Sequence, residues 1–246
     1  MSSVKAIVLA AGKGTRMMSE ENTMPKVLRE ACGKPLLHYV LKALDFIPAE
    51  DTVLVVGYRR EDVIAAFPAY PHAVQEPQKG TGHAVQCASE YLRGFDGTVL
   101  VCYGDMPLLR REVYENLLRQ HDADGASCTM LSGTCTEYLP YGRVLRDENG
   151  DFLRIVEDRD CTPEQKEIRE LNVGIYAFDC QELLACLDLI RNDNAQGEYY
   201  LTDVPAILRV RGKRVAVYKA ALNEQIIGVN TPEQLKMTER FLKNYD

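Results

Sequence analysis

The sequence has 246 residues, of which 46% are hydrophobic and 26% charged, and its formal net charge is -7. This composition is ordinary for a globular protein with a full core, and the acidic balance argues against a nucleic-acid partner, which usually requires a basic surface. The sequence shows no signal peptide and no apolar stretch long enough to span a bilayer, so we expect a cytoplasmic protein without a membrane partner. Its eight cysteines form no Cys-x-x-Cys pair, which favours reduced thiols over disulfides or a zinc site.

Strands and helices alternate in the first half of the sequence. Residues 4–9 form a nearly unbroken apolar run, which is typical of a strand buried on both faces. The elements predicted after it are a helix at 35–46, a strand at 52–56, helices at 61–67 and 80–92, a strand at 98–103, a helix at 110–120 and a strand at 126–131. This alternation predicts a doubly wound α/β sheet.

The pattern changes after residue 141. Two short strands are predicted at 142–146 and 152–157, around the turn signal Glu148-Asn149-Gly150, and they indicate a small β-hairpin insertion. The elements that follow are a strand at 171–178, helices at 181–189 and 204–210, and a strand at 214–219. The sheet is therefore expected to be mixed but mostly parallel.

Two further helices are predicted from a shared capping signal. The segment Thr-Pro-Glu-Gln occurs at 162–165 and again at 231–234, and it combines a threonine cap, a proline in the first turn and a reciprocal glutamine. The second of these helices is predicted over 231–245. Since no repeat, linker or low-complexity segment interrupts the pattern, we expect a single domain over 1–246.

A glycine-rich segment, Gly12-Lys13-Gly14-Thr15, follows the first predicted strand. Small residues in such a turn let backbone N–H groups approach a phosphate. The dinucleotide fingerprint requires a glycine where Met17 stands, and the Walker A motif requires one where Ile7 stands, so a dehydrogenase and a P-loop NTPase are both disfavoured. Arg16 and Lys26 can contact phosphate oxygens, which favours a phosphate-binding loop over a plain turn.

Short sequence blocks occur in order along nearly the whole chain. The first block is Leu9-Ala10-Ala11-Gly12-Lys13-Gly14-Thr15-Arg16-Met17 and another is Gln75-Glu76-Pro77-Gln78-Lys79-Gly80-Thr81-Gly82-His83-Ala84. Further blocks lie at 24–28, 103–108, 141–144, 155–157, 171–174, 194–203 and 228–230. Together they resemble the sugar-nucleotide pyrophosphorylases, and in particular the uridylyltransferase domains of the bacterial N-acetylglucosamine-1-phosphate uridylyltransferase family. Each block is short, but their number and order make the resemblance specific. It implies a Rossmann-like, GT-A-like nucleotidyltransferase fold.

The resemblance also implies a reaction and a set of site residues. The expected reaction transfers the uridylyl group of UTP to N-acetylglucosamine 1-phosphate by in-line attack, with Mg²⁺ as cofactor and pyrophosphate as the second product. The nucleotide would be bound by Leu9, Ala10, Ala11, Gly12, Gly14, Gln75, Gly80 and Thr81. The phosphates would be held by Arg16 and Lys26, which carry the catalytic role. The sugar would meet Tyr103, Gly142, Glu157 and Asn172, and the magnesium ion would bind Asp105 and Asn230.

Alternatives remain open at this stage. Another sugar 1-phosphate, such as glucose 1-phosphate, is the runner-up substrate, and a non-catalytic sensor of nucleotide sugars could use the same fold. His83 is expected to be a structural or hydrogen-bonding histidine, because an already ionised phosphate nucleophile needs no general base. Lys79 departs from the small apolar residue expected there and adds positive charge near the base pocket. The oligomeric state is left undecided.

Overall fold

The computed structural model describes residues 3–17, 23–135 and 138–243. Its strands are β1 (Val4–Leu9), β2 (Glu30–Ala31), β3 (Lys34–Pro35), β4 (Thr52–Val56), β5 (His72–Val74), β6 (Thr98–Tyr103), β7 (Cys128–Thr134), β8 (Arg143–Arg146), β9 (Phe152–Val156), β10 (Glu170–Asp179) and β11 (Val215–Lys219). Its α-helices are α1 (Leu36–Ala43), α2 (Arg60–Ala66), α3 (Thr81–Cys87), α4 (Arg111–Asp124), α5 (Pro163–Lys166), α6 (Cys180–Leu187), α7 (Val204–Val210) and α8 (Pro232–Leu242).

A nine-stranded sheet forms the centre of the fold, with the strand order β11-β7-β10-β6-β1-β4-β5. Strand β1 pairs in parallel with β4 and β6, β4 with β5, and β7 with β11. Strand β10 runs antiparallel to both of its neighbours β6 and β7, so it alone is reversed along this path. The β8–β9 hairpin attaches to β10 through β8. A mixed, mostly parallel sheet with a small hairpin insertion is therefore confirmed.

Helices cover both faces of this sheet. In β1, Ala6 and Val8 point into one apolar layer with α1, α2 and α4, whereas Ile7 and Leu9 point into the other layer with α3, α6 and α7. Strand β4 is buried at every position. Burial on both faces requires continuous apolar runs rather than alternation, which is why these strands could be recognised in the sequence. The doubly wound arrangement is confirmed.

Several predicted boundaries are wrong. The helix predicted at 35–46 spans only Leu36–Ala43, and the helix predicted at 80–92 ends at Cys87 before a separate 3₁₀ turn at Ser89–Leu92. Helix α4 continues past 120 to Asp124, because His121 is still buried and the left-handed Gly125 ends the helix.

The ends of the other elements shift by a few residues, and three strands were not predicted. The last helix, predicted over 231–245, spans Pro232–Leu242, and residues 244–246 lie outside the described residues. Both capping boxes are present, at Thr162 and Thr231. The β2–β3 hairpin and β5 were missed, since two or three residues show no periodicity. Over residues 3–17, 23–135 and 138–243, no helix has the length and apolar character needed to cross a bilayer.

Candidate active site

A cleft of about 410 Å³ opens at the carboxyl ends of β1 and β6. Ligands of open α/β sheets bind at this edge, since the loops that leave neighbouring parallel strands meet there. The cleft brings together residues that were predicted for three separate roles, namely Leu9, Ala10, Ala11, Gly12, Lys26, Gln75, Gly80, Thr81, Tyr103, Asp105, Gly142, Glu157, Asn172 and Asn230.

Gly14 and Arg16 are the two remaining residues of the predicted site. Gly14 has a positive φ of 65°, and a Cβ atom there would lie 2.6 Å from Cβ of Lys26. Gly14 therefore lets the glycine-rich loop pack against the stem of Lys26, and its contact with the nucleotide stays a prediction. Arg16 lies in a 3₁₀ turn at Thr15–Met17, but its side chain lies outside the described parts of the chain.

The glycine-rich loop is held from the neighbouring strand and from the loop after β5. The N–H of Ala10 donates to the carbonyl of Val55 at 2.8 Å, and Nε2 of Gln78 donates to the carbonyl of Ala11 at 2.7 Å. Gly57 allows this approach, because a Cβ atom there would lie 2.6 Å from the Gln78 amide. Gln78 was quoted within a family block without a role, so its contact with the loop was missed.

Gln75 lines the cleft and is buried, with 5% of its surface exposed. Its Nε2 donates to the carbonyl of Gly80 at 2.8 Å and lies 3.3 Å from Nδ1 of His83. Burial, followed by the positive charge of Lys79, lowers the pKa of His83. His83 therefore has the hydrogen-bonding role expected for it, and it contacts a residue predicted to read the base.

The loop that contains Gly80 is fixed to the segment before α7. The N–H of Tyr199 donates to the carbonyl of Lys79 at 2.8 Å, and the N–H of Gly82 donates to the carbonyl of Tyr199 at 2.7 Å. Gly80 has a φ of 111°, and a Cβ atom there would lie 2.6 Å from the Tyr199 carbonyl. These contacts also bring Glu198 to the cleft. Glu198 lies within a quoted family block, which was the signal available for it, but no role was assigned.

Lys26, Asp105 and Asn230 meet within the cleft. The Lys26 ammonium forms an ion pair with Oδ2 of Asp105 and donates to Oδ1 of Asn230 at 3.0 Å. The backbone brings the two oxygens together, because the N–H of Val229 donates to the carbonyl of Asp105 at 2.9 Å. A carboxylate and an amide oxygen thus converge on one cation.

These two oxygens fit the requirements of a magnesium site. Magnesium prefers oxygen ligands and commonly takes one or two from the protein, while substrate phosphates and water supply the rest. The Lys26 ammonium marks the point to which a cation is attracted between Asp105 and Asn230. Within the described part of the chain, no group of three or more His, Cys, Asp or Glu side chains could hold a metal. A site with few protein ligands is the type that leaves room for substrate oxygens.

Tyr103 and Asn172, two of the residues predicted to contact the sugar, lie at a bulge in β10. The register of β10 against β7 shifts between Asn172 and Tyr176, and the bulge contains Gly174 with a φ of 82°. Asn172 donates from Nδ2 to the Tyr176 hydroxyl at 2.8 Å and accepts the Gly174 N–H on Oδ1 at 3.2 Å. An amide has two N–H donors and two acceptor lone pairs, so Asn172 keeps one of each for a ligand. Tyr103 packs against Gly174, where an added Cβ would lie 2.1 Å from the ring.

Glu157 and Gly142 complete this side of the cleft. Oε1 of Glu157 accepts from the Thr202 hydroxyl at 3.0 Å, and burial raises the pKa of this carboxyl. The carbonyl of Gly142 accepts the Asn172 N–H at 2.8 Å, and a Cβ on Gly142 would lie 2.8 Å from Ile155. Thr202 had not been singled out individually, because its role depends on the packing of the segment before α7 against the end of β9.

Known proteins are similar to this chain in sequence and in fold. The MobA-like NTP transferase domain matches residues 6–161. The chain belongs to the MobA-like NTP transferase family. This confirms the nucleotidyltransferase resemblance that was inferred from the sequence blocks.

Curated relatives of this MobA-like domain match it over nearly its full length. Proteins named "Bifunctional protein GlmU" from Brevibacillus brevis and Clostridium novyi are each 42% identical to it, over 99% and 97% of this chain. The protein of the same name from Lactobacillus gasseri is 43% identical over 91% of this chain. The matches cover 52%, 52% and 48% of those proteins, so the chain spans about half the length of the curated relatives it matches.

A solved structure has the same fold. A protein from Bacillus anthracis, provisionally named a glucose-1-phosphate thymidylyltransferase, superposes with a TM-score of 0.74 over 97% of this chain and 94% of its own. The two sequences are 18% identical, so the likeness supports the nucleotidyltransferase fold alone.

Proposed function

We propose that this MobA-like domain transfers the uridylyl group of UTP to N-acetylglucosamine 1-phosphate, forming UDP-N-acetylglucosamine and pyrophosphate. The observation that carries the proposal is the convergence of Lys26, Asp105 and Asn230 in one cleft. Transfer between two anionic substrates requires cationic groups where the phosphates meet. The long relatives named as bifunctional proteins, which match over nearly all of this chain, support the same activity.

The nucleotide would occupy the side of the cleft formed by the loop after β1 and by Gln75. Backbone N–H groups of Ala11 and Gly12 can approach phosphates, since neither residue carries a large side chain. A buried amide such as Gln75 can hydrogen-bond the imide edge of uracil. Lys26 would bind the α-phosphate, and Arg16 the outer phosphates.

The sugar would occupy the opposite side, between Tyr103, Glu157 and Asn172. Glu157 can accept hydrogen bonds from sugar hydroxyls, and the remaining N–H of Asn172 can donate to the carbonyl of an N-acetyl group. A sugar without that group would leave a buried donor unpaired, which can lower kcat/KM by a factor of about 10 or more. This argument favours N-acetylglucosamine 1-phosphate over glucose 1-phosphate.

The chemistry requires positioning and charge compensation rather than a general base. A phosphate oxygen of the sugar 1-phosphate attacks the α-phosphorus of UTP in line with the departing pyrophosphate, and this nucleophile is already an anion. Asp105 and Asn230 would hold Mg²⁺, which when bound offsets negative charge on the phosphates. Lys26 would offset the charge that develops on the transferring phosphate, where a fixed cation stabilises the transition state more than the ground state.

The test is a substrate matrix. The purified chain is assayed for pyrophosphate release with UTP, CTP, dTTP, ATP and GTP, each combined with N-acetylglucosamine 1-phosphate or glucose 1-phosphate. We expect the highest kcat/KM for UTP with N-acetylglucosamine 1-phosphate and complete loss of release in EDTA. Equal turnover of the two sugars would contradict the assigned sugar. Binding of UDP-N-acetylglucosamine without any pyrophosphate release would instead indicate a sensor.

A further inference from the structure

The side-chain amide of Gln75 is oriented by two neighbours. Its Nε2 lies 2.8 Å from the carbonyl oxygen of Gly80 and 3.3 Å from Nδ1 of His83. The opposite orientation of the amide would place Oε1 2.8 Å from the Gly80 carbonyl, where two acceptors repel each other. Gly80 therefore determines that the NH₂ group points inward, and Oε1 is the Gln75 atom left to meet a ligand in the cleft.

This orientation determines the protonation of His83. Because Nε2 of Gln75 can only donate, Nδ1 of His83 must be an unprotonated acceptor. In a neutral imidazole the proton is then on Nε2, which lies 3.8 Å from Sγ of Cys87, within reach of a weak N–H···S contact. In an imidazolium Nδ1 would carry a hydrogen, so that an N–H donor of the ring would face the NH₂ donor of Gln75 with no acceptor between them. The lowered pKa of His83, caused by its burial and by Lys79, agrees with a neutral ring.

We propose that His83 is a positioning residue that holds the Gln75 amide with its carbonyl oxygen toward the base, so that the pocket selects uracil over cytosine. The ring nitrogen N3 of uracil carries a hydrogen and can donate to Oε1. In cytosine N3 is an acceptor, and it would face Oε1 without a proton between them. Both hydrogens of Nε2 are engaged by Gly80 and His83, so Gln75 cannot rotate to suit cytosine without breaking both contacts. The inference rests on the proposed use of UTP.

Gly80 and His83 together hold the Gln75 amide more firmly than Gly80 alone would. A single hydrogen bond from Nε2 to one carbonyl would let the amide rotate about that bond, whereas a second partner on Nε2 fixes the plane of the amide. The two partners are held by one short helix, since Gly80 is the residue before α3 and His83 lies in its first turn. Selection of the base would thus depend on the start of α3.

Two variants separate the acceptor from the bulk of the ring. In His83→Asn, the side-chain oxygen can take the place of Nδ1 and accept from Gln75. In His83→Leu, a side chain of similar size offers no acceptor. We expect His83→Leu to lower the ratio of kcat/KM for UTP to kcat/KM for CTP about 10-fold or more. The main effect should be a higher KM for UTP, because the buried NH₂ group of Gln75 loses one of its two partners. His83→Asn should keep that ratio within about 3-fold of the wild type, since the hydrogen bond is retained.

An unchanged ratio in His83→Leu, or equal losses in both variants, would overturn the proposal. The dissociation constants for UTP and CTP are also measured by calorimetry, and their ratio is compared between the wild type and the two variants. If the wild type binds UTP in preference to CTP yet releases no pyrophosphate, the proposed reaction fails while the role of His83 is still tested. A ¹⁵N spectrum of the imidazoles, with the His83 signals assigned from His83→Asn, provides a test that needs no folded Leu variant. We expect the neutral Nε2–H form, and protonation of Nδ1 would overturn the proposal.

Discussion

The charge of Lys26 lies at the same point as the proposed cation site. Its ammonium contacts the Asp105 carboxylate and the Asn230 amide oxygen, the two groups expected to bind magnesium. Lys26 lies between the glycine-rich loop and these two residues, so a small rotation of its flexible side chain can carry the charge toward a bound phosphate. Asp105 and Lys26 are both expected to affect turnover, but only Asp105 is expected to bind the cation. A measurement of cation binding therefore distinguishes their roles.

Asp105→Asn should lower kcat by about 10²-fold or more and weaken cation binding, because it removes the one charged ligand. Lys26→Met should also lower kcat strongly, yet the nucleotide-free protein should bind Mn²⁺ at least as tightly as the wild type, because no ammonium competes for the two oxygens. Turnover is measured by pyrophosphate release, and Mn²⁺ binding by its loss of free-ion EPR signal. A Lys26→Met protein that no longer bound Mn²⁺ would contradict this division of roles.

The bulge of β10 is the secondary-structure feature that shapes the part of the cleft proposed to bind the sugar. Gly174 suits the bulge for two reasons. Its φ is positive, at 82°, and it packs so closely against the Tyr103 ring that an added Cβ atom would lie 2.1 Å from the nearest ring atom. The bulge turns Asn172 toward the cleft while Tyr176 returns to regular pairing with β7. β-Bulges commonly occur near active sites for this reason, because they change the direction of one side chain within a sheet.

Gly174→Ala tests this arrangement against a matched control. Gly150, in the β8–β9 hairpin, has nearly the same φ of 83°, but nothing lies within 4 Å of an added Cβ. Gly150→Ala should cost about 1 kcal/mol of unfolding free energy through backbone strain alone. Gly174→Ala should cost a further ~1–3 kcal/mol from the clash and raise KM for the sugar 1-phosphate. Chemical denaturation and steady-state kinetics measure both effects, and equal results for the two variants would refute the role of the Tyr103 contact.

The capping box of α8 holds the proposed metal ligand Asn230. Oε1 of Gln234 accepts the backbone N–H of both Asn230, at 2.7 Å, and Thr231, at 3.1 Å. The equivalent Gln165 of α5 accepts from Thr162, at 3.0 Å, while the N–H of the preceding Cys161 donates to the carbonyl of Asp158. The two helices begin with the same four residue types, so one capping box can serve as the control for the other.

Gln234→Ala and Gln165→Ala should each cost about 1 kcal/mol or less of unfolding free energy, because each loses a partly exposed cap contact. Only Gln234→Ala should raise the Mg²⁺ concentration needed for half-maximal turnover, since it releases the backbone of Asn230. The measurement is a Mg²⁺ titration of pyrophosphate release. If both variants show the wild-type Mg²⁺ requirement, the capping box does not position Asn230.

At the scale of the whole molecule, the acidic balance opposes the binding of polyanionic substrates. The net charge is -7, and a smaller pocket of about 180 Å³ beside the cleft is lined by Glu157, Asp160, Asp193 and Asp203 among others. Burial, and secondarily Asp160, raises the pKa of Asp203 to about 6. This group therefore makes stability depend on pH in the weakly acidic range, between the ordinary pKa of 3.8 and the folded pKa of about 6.

The sign follows from comparing the folded and unfolded states. Asp203 has a higher pKa in the folded protein than the usual 3.8, so its ionisation costs folding free energy above about pH 6, and this cost disappears as pH falls through 6 toward 4. Asp203→Asn should therefore raise the unfolding free energy at about pH 8 and have little effect at about pH 4. Urea denaturation at the two pH values measures the difference. The exposed Asp193→Asn is the control, and an equal gain for Asp203→Asn at both pH values would contradict the explanation.

Local features of the sequence were sufficient for much of the fold. Strands β1, β4 and β6 were predicted with their observed bounds, because strands buried on both faces need unbroken apolar runs. The two capping boxes were recognised for an equally local reason, since all of their hydrogen bonds join residues within one helical turn. The site residues were predicted through short sequence blocks in order, and the cleft contains nearly all of them.

The tertiary structure alone decided which distant residues meet. Lys26 contacts Asp105 across 79 positions of sequence and Asn230 across 204. Neither contact follows from periodicity, because both depend on the order of strands in the sheet, in which β1 pairs directly with β6. The two-residue strands β2 and β3 likewise exist only because they pair with each other. Strand burial and helix capping are determined by residues that are neighbours in the sequence. The site depends on strand pairing, which brings together segments that are far apart along the chain.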